Sequence, residues 1–540
     1  MGETLDNRVR RLYGKIGKHI KVCFFSALIC GLIAHMYALT NHLYNYDELW
    51  HTPTGFGTGV QMGRWGLSVL AWITKVLFKD VYTIPLINGL ISIIMYAFMA
   101  CIVVDLLDVR ECVFAGIIGA LITTFPSVVS RMFYMFTTHY YAIGEFLVAV
   151  GVMVFVRKSK SAIAAIFSVM LLVLGTSIYQ ATFVTAVCTV VTVLLVDLIG
   201  NDYNLVTAIK KSFGYFAYLG ISMGLYFISN IVALAVTGLK MDKHSENYDT
   251  MGKISIEQLL SSIGHCYKSF LKAGFRDVYS MNPNILVRLA FLISVLIMVY
   301  VGLYVCFSKS EISQKILIIL VIAVLPIAVN LVYIMAASAG VMYSIMTFDM
   351  VFILIIPVAM IEALKSKYDI DYGVGKILKI CNSVLKGYIM PIVLGMTILS
   401  FIWFANGNYL AMQYTNQHDN AYYQTLMTQI KSVDGYEQDM PIAMIGKPVA
   451  DSSFARQDMI GNTFSLGGKS HTNIAAYSSW NIMTRVLGYD PEVRDSDEDE
   501  EYFRGLEEVN NMPCYPSSGA IKIIDDTIVI KFQEVEDLKK

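Results

Sequence analysis

Charged residues are scarce in this sequence of 540 residues. Asp, Glu, Lys and Arg make up only 15% of it, whereas hydrophobic residues make up 56%. Soluble globular domains carry roughly 25% charged residues, so the composition excludes that class and predicts a polytopic membrane protein. The net charge of -1 provides no basic surface of the kind that binds nucleic acid, so nucleic acid is not an expected partner.

Motifs for a metal or redox centre are also absent. The nine cysteines include no Cys-x-x-Cys pair, and most lie in apolar segments, where a thiol packs as a small apolar side chain. Cys266 and Cys514 lie in stretches that we predict to be outside the membrane. A disulfide between them and two free thiols are both compatible with the sequence.

Apolar segments long enough to cross a bilayer recur along most of the chain. They lie at approximately residues 20–40, 82–107, 112–129, 138–156, 161–179, 181–199, 212–237, 285–307, 315–336, 341–364 and 387–408. The first has a basic flank like that of a signal peptide but no small-x-small cleavage site, so we expect it to be retained. The sequence therefore predicts an α-helical membrane protein with about eleven spans.

Lys and Arg indicate which connections face the cytoplasm. They concentrate in the N-terminus, residues 1–19, and in alternate connections after it, at residues 157–160, 210–211, 309–315 and 365–386. Because basic loops stay on the cytoplasmic side, we predict a cytoplasmic N-terminus. An odd number of spans then places the loops 41–81 and 238–284 and the tail 409–540 on the opposite face.

The tail differs in composition from the transmembrane domain, residues 20–408. Short apolar stretches typical of strands occur at residues 440–446, 520–525 and 527–532, and Asp525-Asp526 between the last two is typical of a hairpin turn. The acidic cluster 490–501 is interpreted as a solvated loop. About 130 residues suffice for a small domain with its own core, so we predict an extracytoplasmic α/β domain.

Candidate functional residues begin directly after the first apolar segment, with the adjacent acids Asp47 and Glu48. A carboxylate at the membrane boundary is either a solvated helix cap or a functional acid. Arg64 stands between Gly63 and Trp65, where its fork of donors suits a phosphate. The alternative for Arg64 is an arginine that snorkels to the interface within an aromatic belt.

A third loop on the same predicted face carries Arg131 and, a little later, His139 and Tyr140. Such a cation with aromatic rings could bind a lipid phosphate or stack on a sugar ring. It is also what a second interfacial belt would contain. Glu145, inside the next apolar segment, fits a helix–helix hydrogen bond equally well.

These motifs together resemble a known family. An acidic pair after the first span, Gly63-Arg64-Trp65 opening an amphipathic helix, and the turn Ser177-Ile178-Tyr179-Gln180-Ala181 are similar to glucosyltransferases of the Gtr type II kind, known from bacterial O-antigen modification. The resemblance extends over most of the membrane region and implies the wider GT-C class of glycosyltransferases.

The resemblance implies a polyprenyl-phosphate sugar as donor and transfer to a cell-surface polysaccharide or glycolipid on the outer side of the cytoplasmic membrane. It implies that Asp47 or Glu48 is the catalytic base, that Arg64 lies near the donor phosphate, and that Tyr179 and Gln180 line the cavity. The segment 342–349 contains no arginine for a second phosphate contact. This role is then open to Arg131, to His139 or to lysines of the loop 238–284.

The chemistry needs only one carboxylate. If cations stabilise the leaving phosphate, a single base suffices to deprotonate the acceptor hydroxyl, and one displacement inverts the anomeric centre of the hexose, which we expect to be glucose. Neighbouring residues point in different directions, which disfavours a nucleophile–acid pair. We expect Asp47 to be the base. A divalent metal between an acid and the phosphate is compatible with this chemistry, but no ligand cluster supports one.

Two functions of other classes are alternatives to the enzyme: a flippase or transporter of lipid-linked sugars, and a membrane protein that binds or scaffolds a polymer. A transporter is expected to show broken helices with paired Gly or Pro in two related halves. The prolines in the apolar segments, at positions 85, 126, 326, 357 and 391, show no such pairing. The sequence therefore favours the glycosyltransferase.

Overall fold

The computed structural model describes residues 13–158, 161–242, 254–273, 284–307, 311–336, 342–367, 389–448, 474, 478–535 and 537–539. The chain forms two compact units. The first contains Met1–Asn41 and Phe56–Asn406, and the second contains His42–Gly55 and Gly407–Lys540.

Long apolar helices dominate the first unit. Within the described residues, eight helices are long and apolar enough to cross a membrane: Lys18–Thr40, Pro85–Leu106, Thr138–Lys158, Thr182–Gly200, Val206–Thr237, Ile285–Val305, Ile312–Val329 and Ile389–Lys431. They lie in apolar segments that the sequence predicts to span, because a run of about 20 apolar residues satisfies its own backbone only as a helix. The protein is therefore embedded in a membrane.

A ninth span results if two shorter helices are counted as one. Cys112–Thr124 and Pro126–Met132 meet at an angle of 40°. Pro126 is the first residue of the second helix, and proline cannot continue the hydrogen-bond ladder of the helix before it. The break therefore lies where the sequence places the proline.

The two remaining predicted spans, 161–179 and 341–364, correspond to shorter helices. Ala162–Ile178 has 17 residues, and Phe352–Lys367 has 16 and follows the 3-10 turns Ser344–Met346 and Phe348–Val351. The count of eleven spans stays a prediction.

Shorter elements also occur among the described residues of the first unit. The amphipathic helix expected after Arg64 is Trp65–Phe78, preceded by the 3-10 turn Val60–Met62. Helix Ile256–Lys272 begins with a capping box, in which Ser255 and Gln258 satisfy each other's backbone N–H groups. Val332–Met335 is a single helical turn.

A 43-residue helix, Ile389–Lys431, begins in the first unit and ends in the second. At 1.5 Å per residue it is about 65 Å long, whereas the hydrocarbon core of a bilayer is about 30 Å thick. The helix therefore extends well beyond the span predicted at 387–408, because its second half is polar but still favours a helix.

The second unit contains a four-stranded sheet in the order β2-β1-β4-β3. Its strands are β1 (Ile442–Ile445), β2 (Val493–Arg494), β3 (Ile521–Ile524) and β4 (Thr527–Lys531). β1 runs parallel to β2 and β4, and β3 and β4 form an antiparallel hairpin. Asp525 and Asp526 both have positive φ, which a tight two-residue hairpin requires, so three strands and the turn lie where the sequence predicts them.

The prediction of a solvated loop at residues 490–501 was wrong. The segment contains β2 and the start of helix Asp497–Gly505. Ser496 caps this helix by accepting a hydrogen bond from the Asp499 N–H, and acidic side chains in the first turn are favoured by the helix dipole. Where the structure describes this unit, it also has the short helices Tyr46–His51, Ile482–Val486, Glu507–Asn510 and Asp537–Lys539.

Residues 42–55 belong to the core of the second unit, although the sequence groups them with residues 20–408. Tyr44 and Leu49 pack among buried residues of the long helix and the sheet, including Tyr423 and Ile442. The Tyr44 N–H donates to Asn416 Oδ1 at 3.1 Å, and Asn416 Nδ2 donates back to the Tyr44 carbonyl at 2.8 Å. The predicted first loop is therefore divided between the two units.

Candidate active site

Gly63 fixes the backbone just before Arg64. Its φ of +72° lies in the left-handed region, and a Cβ there would approach Tyr226 Oη to 2.7 Å and Gln180 Nε2 to 2.9 Å. Tyr226 Oη donates to the Gly63 carbonyl at 3.0 Å, and Gln180 Nε2 donates to the Met62 carbonyl at 2.5 Å. Only glycine combines this conformation with so close an approach.

Arg64 is half-buried and held by polar groups from three segments. Its Nη1 lies 3.3 Å from both Tyr141 Oη and Thr58 Oγ1, and its Nε lies 3.4 Å from Gln180 Oε1. These three acceptors are neutral groups, and together they orient the guanidinium. An oriented guanidinium presents a fork of donors that is suited to an anionic ligand.

Tyr179 is the aromatic centre of this cluster. It lies between helices Ala162–Ile178 and Thr182–Gly200, and its ring stacks on that of Tyr141 with centroids 4.2 Å apart. The guanidinium carbons of Arg64 and Arg131 lie 5.1 and 5.8 Å from the centre of the Tyr179 ring. Both distances fall within the range of cation–π contact.

Arg131 is buried and carries an ion pair. Its Nη1 lies 2.8 Å from Glu145 Oε1, with neither side chain exposed, and also donates to Tyr96 Oη at 2.8 Å. Its Nε donates to the Ile345 carbonyl at 3.3 Å. The charge of Arg131 is thus compensated within the protein, and its contacts attach the turn Ser344–Met346 to helix Pro126–Met132.

A second carboxylate, that of Asp349, is buried in the same unit. Thr185 Oγ1 donates to Asp349 Oδ1 at 2.7 Å. Asp349 is not among the site residues predicted from the sequence, although an ionisable residue within an apolar segment is itself a signal of function. Ser344, in the preceding turn, donates to Ser130 Oγ at 2.8 Å and accepts from Ser127 Oγ through its carbonyl at 2.7 Å.

His139 and Tyr140 are buried beside the Arg64 cluster. Their ring centroids are 3.8 Å apart, and Tyr140 Oη donates to Thr74 Oγ1 at 3.0 Å. Tyr140 packs with Tyr141, Tyr179 and Leu67. Tyr140 therefore attaches helix Trp65–Phe78 to the rings around Arg64.

Asp47 and Glu48 lie in the second unit. They occupy the first turn of helix Tyr46–His51, whose cap Asn45 accepts from the Glu48 N–H at 2.8 Å. Glu48 is fully buried, whereas Asp47 is half-buried. Ser478 Oγ donates to the Tyr46 carbonyl, and Arg485 Nη1 donates to the Thr52 carbonyl at 2.9 Å. The tail thus fixes both ends of the helix that carries the acidic pair.

The structure therefore brings Arg64, Arg131, Tyr179 and Gln180 together in the first unit, with Asp47 and Glu48 in the second. Within the described residues, no group of three or more His, Cys, Asp or Glu side chains could hold a metal ion. Cys266 and Cys514 are free thiols.

Comparison with known proteins defines the class. A family described as Glucosyl transferase GtrII matches residues 36–356, more than half of the chain. The chain belongs to this family, and it is a membrane glycosyltransferase. No curated protein and no solved structure matches it. The matched residues include the whole Arg64 and Arg131 cluster and the acidic pair, but not the sheet of the second unit.

Proposed function

We propose that the protein transfers a hexose, glucose in the first instance, from a polyprenyl-phosphate donor to a cell-surface polysaccharide or glycolipid. The observation that carries the proposal is the half-buried guanidinium of Arg64, oriented by Tyr141 and Gln180 beside the Tyr179 ring within the part matched by the family. A guanidinium held in one orientation suits a phosphate, and the stacked tyrosines offer a face for a sugar ring.

The two arginines differ in their proposed roles. Arg64 binds the donor phosphate, because Tyr141 and Gln180 orient its fork of donors. Arg131 is a positioning residue, because Glu145 already compensates its charge, its Nη1 also donates to Tyr96 and its Nε donates to the Ile345 carbonyl. The contact of Arg131 with the Ile345 carbonyl positions the turn Ser344–Met346, and its contact with the Tyr179 ring positions that ring.

The proposed reaction is a single displacement with inversion. The bond from C1 of the sugar to the donor phosphate oxygen breaks, and a bond from C1 to the acceptor oxygen forms. The acceptor hydroxyl gives its proton to the carboxylate of Asp47, and polyprenyl phosphate leaves with the bonding electron pair. Asp47 is favoured over Glu48 because Glu48 is completely buried, whereas a base must reach its substrate.

We propose that the protein lies in the cytoplasmic membrane of a bacterium. Its N-terminus is then in the cytoplasm, and its second unit is on the outer side. This orientation rests on the distribution of Lys and Arg among the connections. The acceptor, a glycan at the cell surface, is then on the same side as the acidic pair.

The function is tested by incubating purified protein in detergent with a panel of polyprenyl-phosphate hexoses and a glycan acceptor. We expect release of polyprenyl phosphate that depends on the acceptor and is greatest with glucose. Absence of release from every donor, with folded protein, would contradict the proposal. Arg64→Ala serves as the control for turnover at this site.

A further inference from the structure

A cavity of about 1190 Å³ lies in the first unit, apart from the candidate active site. Its walls include the last residues of helices Pro85–Leu106, Thr138–Lys158 and Thr182–Gly200, the first half of Ala162–Ile178, and Val206–Thr237 from Lys210 to Leu225. None of the residues assigned above to donor binding or catalysis lines it. The proposed sugar transfer therefore does not account for this cavity.

Charged side chains surround one end of the cavity, at the helix termini. Lys211 Nζ lies 2.5 Å from Asp197 Oδ2, and Arg110 is paired with Asp108. Arg157, which also lines the cavity, is paired with Asp105 at 2.9 Å. These lining cations are thus compensated by carboxylates.

Glu362 and Lys210 also line this end of the cavity. Glu362 accepts hydrogen bonds from the backbone N–H groups of Arg110 and Glu111 at 3.3 and 3.4 Å. Lys210 is exposed, and within the described part of the chain no ion pair involves it. The charged end therefore keeps one cation available for an anionic group.

The walls become apolar with increasing distance from this end. On helix Val206–Thr237 the lining continues from Lys210 through Gly214 and Tyr218 to Leu225. Fifteen residues at 1.5 Å each give a depth of about 22 Å, more than the roughly 15 Å of hydrocarbon in one leaflet. A cavity that is charged at one end and apolar along its length matches a lipid, which has a polar headgroup and a hydrocarbon chain.

The apolar part is open at the side. Ile166, Met170 and Ile221 line the cavity and are each more than half exposed, at 62%, 63% and 57%. In a membrane protein such exposed apolar side chains face lipid tails. A chain from the bilayer can enter between helices Ala162–Ile178 and Val206–Thr237 without a tunnel.

We propose that this cavity binds a membrane phospholipid with an anionic headgroup. The headgroup phosphate lies at the charged end beside Lys210, and one acyl chain follows the apolar wall toward Leu225. Basic pockets between transmembrane helices bind anionic headgroups in this way. The proposal is independent of the sugar transfer proposed above, because it uses other residues.

The test measures binding through thermal stability. Purified protein in a neutral detergent is titrated with short-chain phosphatidylglycerol, with phosphatidylcholine of the same chain length, and with inorganic phosphate. We expect phosphatidylglycerol to raise Tm at about fivefold lower concentration than phosphatidylcholine, as one lysine contact contributes. Inorganic phosphate should have no comparable effect.

Variants locate the site. Gly214 lines the cavity, and a Cβ added there would meet no atom within 4 Å, so Gly214→Phe should fill the cavity and abolish the effect of lipid. Gly220→Phe is the matched control, since it has the same free space on the same helix but does not line the cavity. Gly214→Leu replaces Gly214→Phe if the latter does not purify as a monodisperse protein.

The headgroup is tested with Lys210→Glu, which should lose the preference for phosphatidylglycerol but keep the response to phosphatidylcholine. Lys268→Glu, at an exposed lysine outside the cavity, should behave as the wild type. Equal response to both lipids, an equal effect of inorganic phosphate, or a Gly214→Phe variant that responds like Gly220→Phe would each overturn the proposal. Stabilisation by polyprenyl phosphate alone would assign the cavity to a different lipid and would also overturn it.

Discussion

Arg131 and Glu145 form an ion pair from which solvent is completely excluded: Arg131 Nη1 lies 2.8 Å from Glu145 Oε1, and neither side chain has any exposed surface. A buried charge that loses its partner is far more costly than an exposed one. The pair therefore holds helix Thr138–Lys158 against helix Pro126–Met132 at the point where the rings around Arg64 are arranged.

The pair leads to a prediction about stability. Glu145→Gln should lower the free energy of unfolding by about 3–5 kcal/mol, because it leaves Arg131 buried and uncompensated. The double variant Arg131→Met/Glu145→Leu should recover part of this loss. Thermal unfolding in detergent provides the measurement. The control is Asp105→Asn, which breaks the exposed pair with Arg157. It should lower the free energy of unfolding by no more than about 1 kcal/mol. Equal effects of Glu145→Gln and Asp105→Asn would contradict the prediction.

A second prediction concerns the donor phosphate. Arg64→Lys keeps the charge but loses the fork held by Tyr141 and Gln180. A hydrogen bond to a charged group contributes about 1.5–3 kcal/mol, so the affinity for the lipid donor should fall by about tenfold or more. Binding of a polyprenyl-phosphate hexose to the purified variant measures this.

Arg288→Lys, at an exposed arginine outside the cluster, is the control for this substitution and should bind donor normally. If Arg64→Lys and Arg64→Ala both retain the affinity of the wild type, Arg64 belongs to the interfacial belt.

The third prediction separates the two acids. Asp47→Asn keeps the size of the side chain and should leave expression and donor binding unchanged, yet reduce transfer by about a hundredfold or more, as loss of a general base does. Glu48→Gln should have a smaller effect on transfer. The measurement is the rate of sugar transfer at saturating donor. A dead Glu48→Gln beside an active Asp47→Asn would exchange the roles, and full activity of both would remove catalysis from this helix.

The fourth prediction concerns pH. Burial and, to a smaller extent, the nearby Arg485 guanidinium lower the pKa of His51 from its ordinary value of 6.5 to about 4. The unfolded chain therefore binds a proton between pH 6.5 and 4 that the folded protein does not bind, so stability should fall as the pH drops through this range. Tm measured between pH 8 and pH 4 gives this dependence. His51→Gln should reduce the slope of this dependence, and an unchanged slope in this variant would contradict the prediction.

The fifth prediction concerns orientation. In a background with Cys514 replaced by Ser, a cysteine introduced at the exposed Ser517 should react with an impermeant thiol reagent on intact cells. A cysteine at the exposed Lys158 should react only after the membrane is opened. The reverse pattern would invert the assignment of every connection.

The sequence predicts those parts of the structure that depend on neighbouring residues. Long apolar runs become helices, two aspartates close a hairpin, and Tyr179 and Gln180 lie between two consecutive helices, where their Ser-Ile-Tyr-Gln-Ala motif suggested a turn. Sequence alone gives no such signal for contacts between distant segments. Thr185 and Asp349 are 164 residues apart, and nothing in either segment indicates the other.

The unit to which residues 42–55 belong was also not predictable from the sequence around them. Asp47 and Glu48 were assigned to the transmembrane domain because they directly follow its first helix. Their local helix is fixed instead by Ser478 and Arg485, and its neighbour Tyr44 by Asn416. Because of these three contacts, residues 42–55 belong to the second unit, although only a short connection joins them to helix Lys18–Thr40.

These contacts also determine when the acidic helix can be completed during synthesis. Tyr44 leaves the ribosome 372 residues before its partner Asn416, and at about 5–20 residues per second this separation takes roughly 20–75 s. For that time the segment His42–Gly55 has been made but lacks the partners that bury Tyr44 and Leu49. Truncation of the tail would leave it permanently in that state, so the C-terminal residues are a structural requirement for the first acidic helix as well as for their own sheet.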